Sequence, residues 1–385
     1  MPLGPDEIRG LLDSYPDRPW VGAVGSHSAL DIADGARQEG FSTLVLSERG
    51  REETYSRYFA ARPAAPGRSA RGCVNEVWTY PRFRDLAAAA EQDRLRRRGV
   101  LFVPNRALSS YVPIPTIESE FRVPMIGSRS MLRIEERSER ENYYTLLESA
   151  HIPIPRPIGG PHSIDRLVMV KLPHAIRRLE RGFFTASSFE EYRRKSDQLL
   201  AQGTIARDDL VTARIEEYVL GPVFNFNFFF SPLAPRAEGL ELLGVDERRE
   251  SNLDGMVRLP AAQQLELPDE MRIPEYTVVG HGSLTVRESV LEEVFRLGEK
   301  FVDASRSRYP PGIIGPFCLQ TCIDRNAKPT VFDVAVRIGG GTNIHLALGH
   351  PYGNALYHEP MSTGRRIARE IRLALETRRL REIIT

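Results

Sequence analysis

The sequence predicts an α/β (α+β) fold, with a doubly wound parallel-sheet domain first and an antiparallel-sheet lobe after it. Three observations carry this. Strand, helix and strand patterns alternate over roughly the first 125 residues, as βαβ units in a parallel sheet do. Further on, Val223–Phe230 alternates apolar side chains with Asn, which marks an antiparallel strand with one polar face. Thr330–Asn343 reads T-V-F-D-V-A-V-R-I-G-G-G-T-N, an apolar strand with one carboxylate and one guanidinium that runs into three glycines. A structural strand needs neither the charges nor the glycines. A site for metal-bound phosphates uses both.

The elements follow in order. Residues 20–24 form an apolar strand ending in G-S-H-S, and Ala29, Leu30, Ile32, Ala33 and Ala36 have helical spacing up to Gly40. Ser42–Ser47 is the second strand, Glu76–Tyr80 the third and Val100–Pro104 the fourth, with a helix over Asp85–Arg98 and a Pro/Gly/Arg-rich loop at 61–72. Residues 126–150, rich in Arg and Glu, read as one charged helix with a solvated face. The run H-I-P-I-P-R-P-I-G-G-P cannot be helix. Strands are expected at Arg166–Leu172, Ala213–Val219, Val223–Phe230, Leu240–Asp246 and Gly255–Leu259, with a helix at Ser188–Gln202. An amphipathic helix spans Ser289–Ser307, a strand pair covers Gly315–Ile323 and Thr330–Ile338, and a last helix covers Ser362–Arg378. The expected units are residues 1–125, 126–210 (a small lobe) and 211–385 (a C-terminal lobe).

Composition excludes several classes. A net charge of +1 recruits neither nucleic acid nor an anionic membrane. No apolar run approaches a membrane span, and M-P-L-G-P-D-E-I lacks a secretory pattern, so a cytoplasmic location is expected. Cys73, Cys318 and Cys322 form no metal-ligand pattern and read as packing residues. Of 52 basic residues only Lys171, Lys195, Lys300 and Lys328 are lysine, so a Lys kept in an apolar strand is informative.

Lys171 ends V-M-V-K, where its ammonium must reach an anion or snorkel to water. The next loop, 173–184, carries Gly182 with Arg177, Arg178 and Arg181, a set suited to holding phosphates with guanidinium groups. Glu216 and Glu217 are neighbours on a strand, so only one can face a shared site. They are either edge-strand surface charges or part of a nucleotide edge, with backbone of residues 217–219 meeting adenine. Gln320 and Asp333 flank the turn near Asn326 and would be nearly opposite in a hairpin, where their oxygens could share Mg²⁺ with ATP phosphates. His27 opens a helix beside Ser26 and Ser28, an anion site or a capping Ser with a bystander His. His345 and His350 are weaker candidates. The chain contains no Cys/His cluster, no G-x-S-x-G and no P-loop sequence.

The order of elements resembles the ATP-grasp fold. The motifs resemble the archaeal-type formate-dependent synthetases that formylate aminoimidazole carboxamide ribotide. The resemblance spans nearly the whole chain and rests on V-G-S-H-S, E-G-F-S-T, V-P-M-I-G-S-R, V-M-V-K, I-E-E-Y-V-L-G, R-R-E-S-N-L-D-G, I-G-P-F-C-L-Q and V-F-D-V-A-V-R-I-G-G-G-T-N. It implies that Lys171 and Arg181 touch ATP phosphates and that Glu216, Glu217 and Val219 line the adenine–ribose pocket. Asp333 with Gln320 would hold Mg²⁺, and Arg337, catalytic together with Lys171, would steady the transferred phosphate. His27, Ser28, Asn252, Thr342 and Asn343 would contact the ribotide. The implied chemistry has two steps: formate attacks the ATP γ-phosphate, and an amine then captures the acyl phosphate. The resemblance also implies small-molecule substrates and a homo-oligomer. The relatives have Glu where Asp333 stands, an acidic residue where Gly339 stands, and Ser where Ala107 stands. Two other readings stand beside this one: a sister ligase for a related amino-heterocycle ribotide or another small acid, and a non-catalytic nucleotide-binding subunit.

Overall fold

The computed structural model describes residues 3–137, 139–172, 183–268, 271 and 277–385. Three sheets organise them. The first contains β1 (Trp20–Val24), β2 (Ser42–Glu48), β3 (Glu76–Tyr80) and β4 (Val100–Phe102) in the order β3-β2-β1-β4. All its pairings are parallel, as the alternating pattern predicts. The helix Ala29–Gln38 makes the first crossover, and Ala29, Ile32, Ala33 and Ala36 are its buried face. The second sheet, β6-β5-β7, is built from β5 (Val168–Lys171), β6 (Phe183–Ala186) and β7 (Arg214–Glu217).

The third sheet is antiparallel throughout, in the order β10-β9-β8-β11-β12. Its strands are β8 (Val223–Phe230), β9 (Leu240–Glu250), β10 (Val278–Ser283), β11 (Gly315–Ile323) and β12 (Pro329–Ala335). The period of two in β8 sorts its side chains. Phe226 and Phe228 enter the main core, where Phe228 stacks on Phe317 and Phe317 on Phe301 of the helix Glu288–Arg308. Each such burial contributes about 1.5–3 kcal/mol. Asn225 and Asn227 occupy the opposite face, also buried. The last helix, Thr363–Glu376, lies across Ala29–Gln38 at Gly364 and Gly35, where a Cβ on either would run into the other helix's backbone.

Several elements differ from expectation. Residues 126–150 are not one helix. A 3₁₀ segment covers Arg129–Glu135, and a separate helix, Tyr143–Ser149, starts at Asn142. Asn142 accepts the Tyr144 N–H at 2.9 Å and Thr145 accepts the Asn142 N–H at 3.2 Å, a reciprocal cap that imposes a fresh start. The segment is not a solvated face either. Arg129 is buried and donates to the carbonyls of Ile117, Phe121, Val123 and Thr385. Gly255–Leu259 is no strand, because Asp254 accepts the Glu250 N–H and turns the chain into the helix Ser251–Met256. The fifth strand is instead β10, V-V-G-H-G-S, whose two glycines carry no apolar signal. Asp85–Arg98 divides into a 3₁₀ turn at Phe83–Ala87 and a helix at Ala89–Arg97.

Candidate functional site

The small sheet meets the five-stranded sheet at Lys171. As an unpaired ammonium on an apolar strand could not be buried, Lys171 is buried with partners: an ion pair with Glu216, and hydrogen bonds donated to the Tyr144 hydroxyl at 2.7 Å and the Phe332 carbonyl at 2.9 Å. Burial lowers its pKa to about 8, with Glu216 opposing the shift. Glu216 also accepts from the Tyr144 hydroxyl at 2.7 Å and from Arg214 Nε at 3.1 Å. The period of two then turns Glu217 outward, half-exposed near Arg166. The outer edge of β7 is partly taken: the Glu217 N–H bonds to the Arg156 carbonyl at 2.9 Å, and the Val219 carbonyl accepts from the Cys322 thiol at 3.4 Å.

One row of side chains crosses the five-stranded sheet. Ser283 pairs with Asp246, Asp246 with Asn225, Asn225 with Gln320, and Gln320 with Asp333. Gln320 and Asp333 are therefore opposite one another, as the hairpin spacing requires. Gln320 accepts from Arg248, and Asp333 Oδ2 lies 3.4 Å from Arg137 Nη2. Among the described residues no group of three or more His, Cys, Asp or Glu side chains could hold a metal by itself. One carboxylate and one amide oxygen suit a cation that takes its other ligands from water and phosphate, the usual habit of Mg²⁺.

Arg337 is buried at the end of the next stretch. Its Nη2 meets Glu135 Oε2 at 3.2 Å, and Nη1 donates to the Ile338 carbonyl at 2.9 Å. Arg106 Nη1 reaches the same Glu135 oxygen at 3.5 Å, and Glu135 Oε1 accepts the Val336 N–H at 2.9 Å. Arg137 Nη1 and Arg337 Nε are buried with no hydrogen-bond partner among the described residues.

The glycine turn lands on the first sheet. Ser28 donates to the Gly339 carbonyl, and Asn343 Oδ1 accepts the Asp31 N–H at 3.0 Å. Thr342 is buried and its hydroxyl donates to the Gly339 carbonyl at 3.5 Å, beside Asp31, whose pKa burial raises to about 6 against the polar groups of Ser362, Thr342 and the Gly364 N–H. Ser28 and Asn343 thus pin the turn to the helix Ala29–Gln38, and Thr342 braces it from within. His27 projects to the surface beside Gly340. Asn252 lies on the short helix after β9. Arg181 falls outside the described residues.

Sequence reasoning missed several members of this junction. Arg137, Tyr144 and Glu135 sit inside the segment read as a solvated helix. Asn225 and Asn227 were visible only as a polar face, and both donate to Asp246, which also pairs with His281. The available signal was like the one that flagged Asp333: a carboxylate, Asp246, that follows the apolar stretch L-L-G-V.

Comparison with known proteins places this geometry. Residues 21–158 match a family model described as a protein of unknown function (DUF1246), and residues 191–385 match a domain of unknown function (DUF1297). A 5-formaminoimidazole-4-carboxamide-1-(β)-D-ribofuranosyl 5'-monophosphate synthetase of Methanothermobacter thermautotrophicus is 41% identical over 381 residues, 99% of this chain and 98% of that protein. A protein of the same name from Methanocaldococcus jannaschii is 38% identical over 384 residues, 100% of both chains. The crystal structure of an IMP biosynthesis protein, PurP, from Thermococcus kodakaraensis is similar with a TM-score of 0.69 and 29% identity, covering 95% of this chain and 100% of that one. An Aspergillus clavatus N5-carboxyaminoimidazole synthase, solved with ADP and 5-aminoimidazole ribonucleotide, has a TM-score of 0.54 at 11% identity, covering 91% of this chain and 79% of that one. That last likeness concerns the fold alone, and the shared architecture is ATP-grasp.

Proposed function

The chain belongs to the family of 5-formaminoimidazole-4-carboxamide ribotide synthetases, and from that premise we propose how its residues carry the family's reaction. The protein is an ATP-dependent carbon–nitrogen ligase that joins formate to the amine of 5-aminoimidazole-4-carboxamide ribotide, giving the formamide, ADP and phosphate. The observation that carries the residue assignment is the gathering of cations around one oxygen pair. Lys171 bonds to the carbonyl of Phe332, Arg137 lies against Asp333, and Arg337 follows four residues on. A triphosphate with its metal needs that distribution of charge.

In this reading Asp333 and Gln320 hold Mg²⁺, which when bound neutralises charge on the phosphoryl group being transferred. Lys171 and Arg337 contact phosphate oxygens, and Glu216 and Tyr144 fix the Lys171 ammonium so that it does not reorganise during transfer. Arg137 Nη1 and Arg337 Nε are donors the fold does not consume. Glu217 and Val219 border the adenine and ribose. His27 and Asn252 contact the ribotide, and the turn held by Ser28, Thr342 and Asn343 shapes its pocket. Arg181 adds a phosphate contact. Formate oxygen attacks the γ-phosphorus, ADP leaves, and the amine captures the acyl phosphate.

The test is ADP release from ATP and Mg²⁺ against a panel of small acids and amino-heterocycle ribotides. Release that needs both formate and the aminoimidazole ribotide supports the reading; release only with another acid or amine contradicts it. The same reading takes the protein as cytoplasmic and as a homo-oligomer. Light scattering that returned only the single-chain mass of 43.4 kDa would remove the oligomer. No helix among the described residues is long and apolar enough to cross a membrane.

A further inference from the structure

We propose that His281 accepts the proton of the attacking amine when the acyl phosphate is captured, with Asp246 as its positioning residue; this rests on the reaction given above. Asp246 is fully buried on β9. Its Oδ1 accepts from Asn227 Nδ2 at 2.6 Å, and its Oδ2 accepts from Asn225 Nδ2 at 2.8 Å and meets His281 Nδ1 at 2.7 Å. Against the Asp246 oxygen, His281 Nδ1 is the donor nitrogen of the ring, which leaves Nε2 as the nitrogen turned away from the carboxylate. A buried carboxylate on one ring nitrogen, with a basic lone pair on the other, is how a histidine is oriented for proton transfer. The two ends of the pair also differ in access: the Asp246 side chain is 1% exposed and that of His281 15%.

The position suits the step. A Cβ at Gly341 would run into both Asp246 Oδ2 and His281 Nδ1, so the glycine turn lies directly on the pair. The preceding Gly340 lies against His27, a proposed ribotide contact. Asp246 also begins the row that continues through Asn225 and Gln320 to Asp333. One sheet face therefore carries the metal and phosphate ligands at one end and the His281–Asp246 pair at the other. The amine lone pair attacks the formyl carbon and a C–N bond forms. The C–O bond to phosphate breaks, and phosphate leaves with that electron pair. The proton on nitrogen passes to His281 Nε2, and the imidazolium then returns it to the departing phosphate.

The experiment separates the two half-reactions. His281→Asn keeps an amide N–H in place of Nδ1 for Asp246 but removes the basic nitrogen. In wild type and variant, one assay follows formamide formation from the ribotide. The other follows hydroxamate formation when hydroxylamine, a nucleophile that needs no base, traps the acyl phosphate. The ribotide reaction should fall about 100-fold or more, with hydroxamate formation unchanged. An undiminished ribotide rate overturns the proposal, and so does a parallel loss of both rates at an unchanged melting temperature. Should His281→Asn fail to fold, His281→Gln carries the same two assays. Absence of formate-dependent hydroxamate in the wild type would overturn the reaction itself rather than the role of His281.

Discussion

Two buried charge networks in this protein look alike on a residue list and differ in closure. At the last helix, Arg366 donates Nε to Glu241 Oε2 at 2.8 Å, Nη2 to Glu241 Oε1 at 2.8 Å, and Nη1 to Glu370 Oε2 at 2.8 Å. Glu370 Oε1 then accepts from Ser231 at 2.6 Å, and Glu241 from the Tyr357 hydroxyl at 2.8 Å. That network is saturated from within. Around Asp333 the arginines are equally buried, yet Arg137 Nη1 and Arg337 Nε have no hydrogen-bond partner among the described residues. A polar group left unsatisfied in the interior costs about 1–3 kcal/mol. A fold tolerates it where a ligand supplies the partner. Arg129, Arg369 and Arg372 also carry a buried Nε without a hydrogen-bond partner among the described residues, so what separates a site from a clasp is the open donors together with Asp333, Gln320 and Lys171.

The largest effect should come from the open network. Asp333→Ala removes the proposed metal carboxylate and should lower turnover by about a thousandfold or more, far more than the loss of its ion pair with Arg137 takes from the folded fraction. Parallel activity and thermal-melt measurements check this, and a large loss of stability with retained turnover would reverse the comparison. Arg366→Met should do the opposite. It strands Glu241 and Glu370 and should cost about 3–5 kcal/mol in urea denaturation, with kcat of the folded fraction unchanged.

A smaller effect concerns pH. Burial first, and His350 next, lower the pKa of His345 to about 4, so the native ring stays neutral. Below pH 6.5 the unfolded chain takes up a proton that the native state refuses. The His345 contribution to stability should therefore fall as pH drops from about 6.5 to about 4, by about 1.4 kcal/mol per unit, while Asp31, raised to about 6, acts in the opposite sense below about pH 6. His345→Gln should flatten that slope in denaturation curves taken across the window. The smallest effect is expected at the exposed pair of Arg236 and Asp303, 2.8 Å apart, where Arg236→Ala should leave the melting temperature unchanged.

Much of this was legible in the sequence wherever a side-chain period met a burial requirement. The parallel sheet follows from apolar runs punctuated by helical spacing, and the opposition of Gln320 and Asp333 follows from hairpin arithmetic. What escaped was charge that the fold buries. Arg129, Glu135 and Arg137 look like solvent-facing residues in a linear reading, because their partners include loop carbonyls at Ile117, Phe121 and Val123 for Arg129 and side chains and backbone 196 to 202 residues on for Glu135 and Arg137. The strand β10 escaped because glycines contribute no apolar signal, and with it went His281. The nearly invisible strand thus carries the residue to which the structure gives the most specific new role.

The most direct test of the central claim uses formate labelled with heavy oxygen, with ATP, Mg²⁺ and the ribotide. If the acid attacks the γ-phosphorus and the amine later displaces phosphate, one labelled oxygen must end in inorganic phosphate. Mass spectrometry of the released phosphate should find it there in step with formamide formation. Formamide accompanied by unlabelled phosphate would contradict the account.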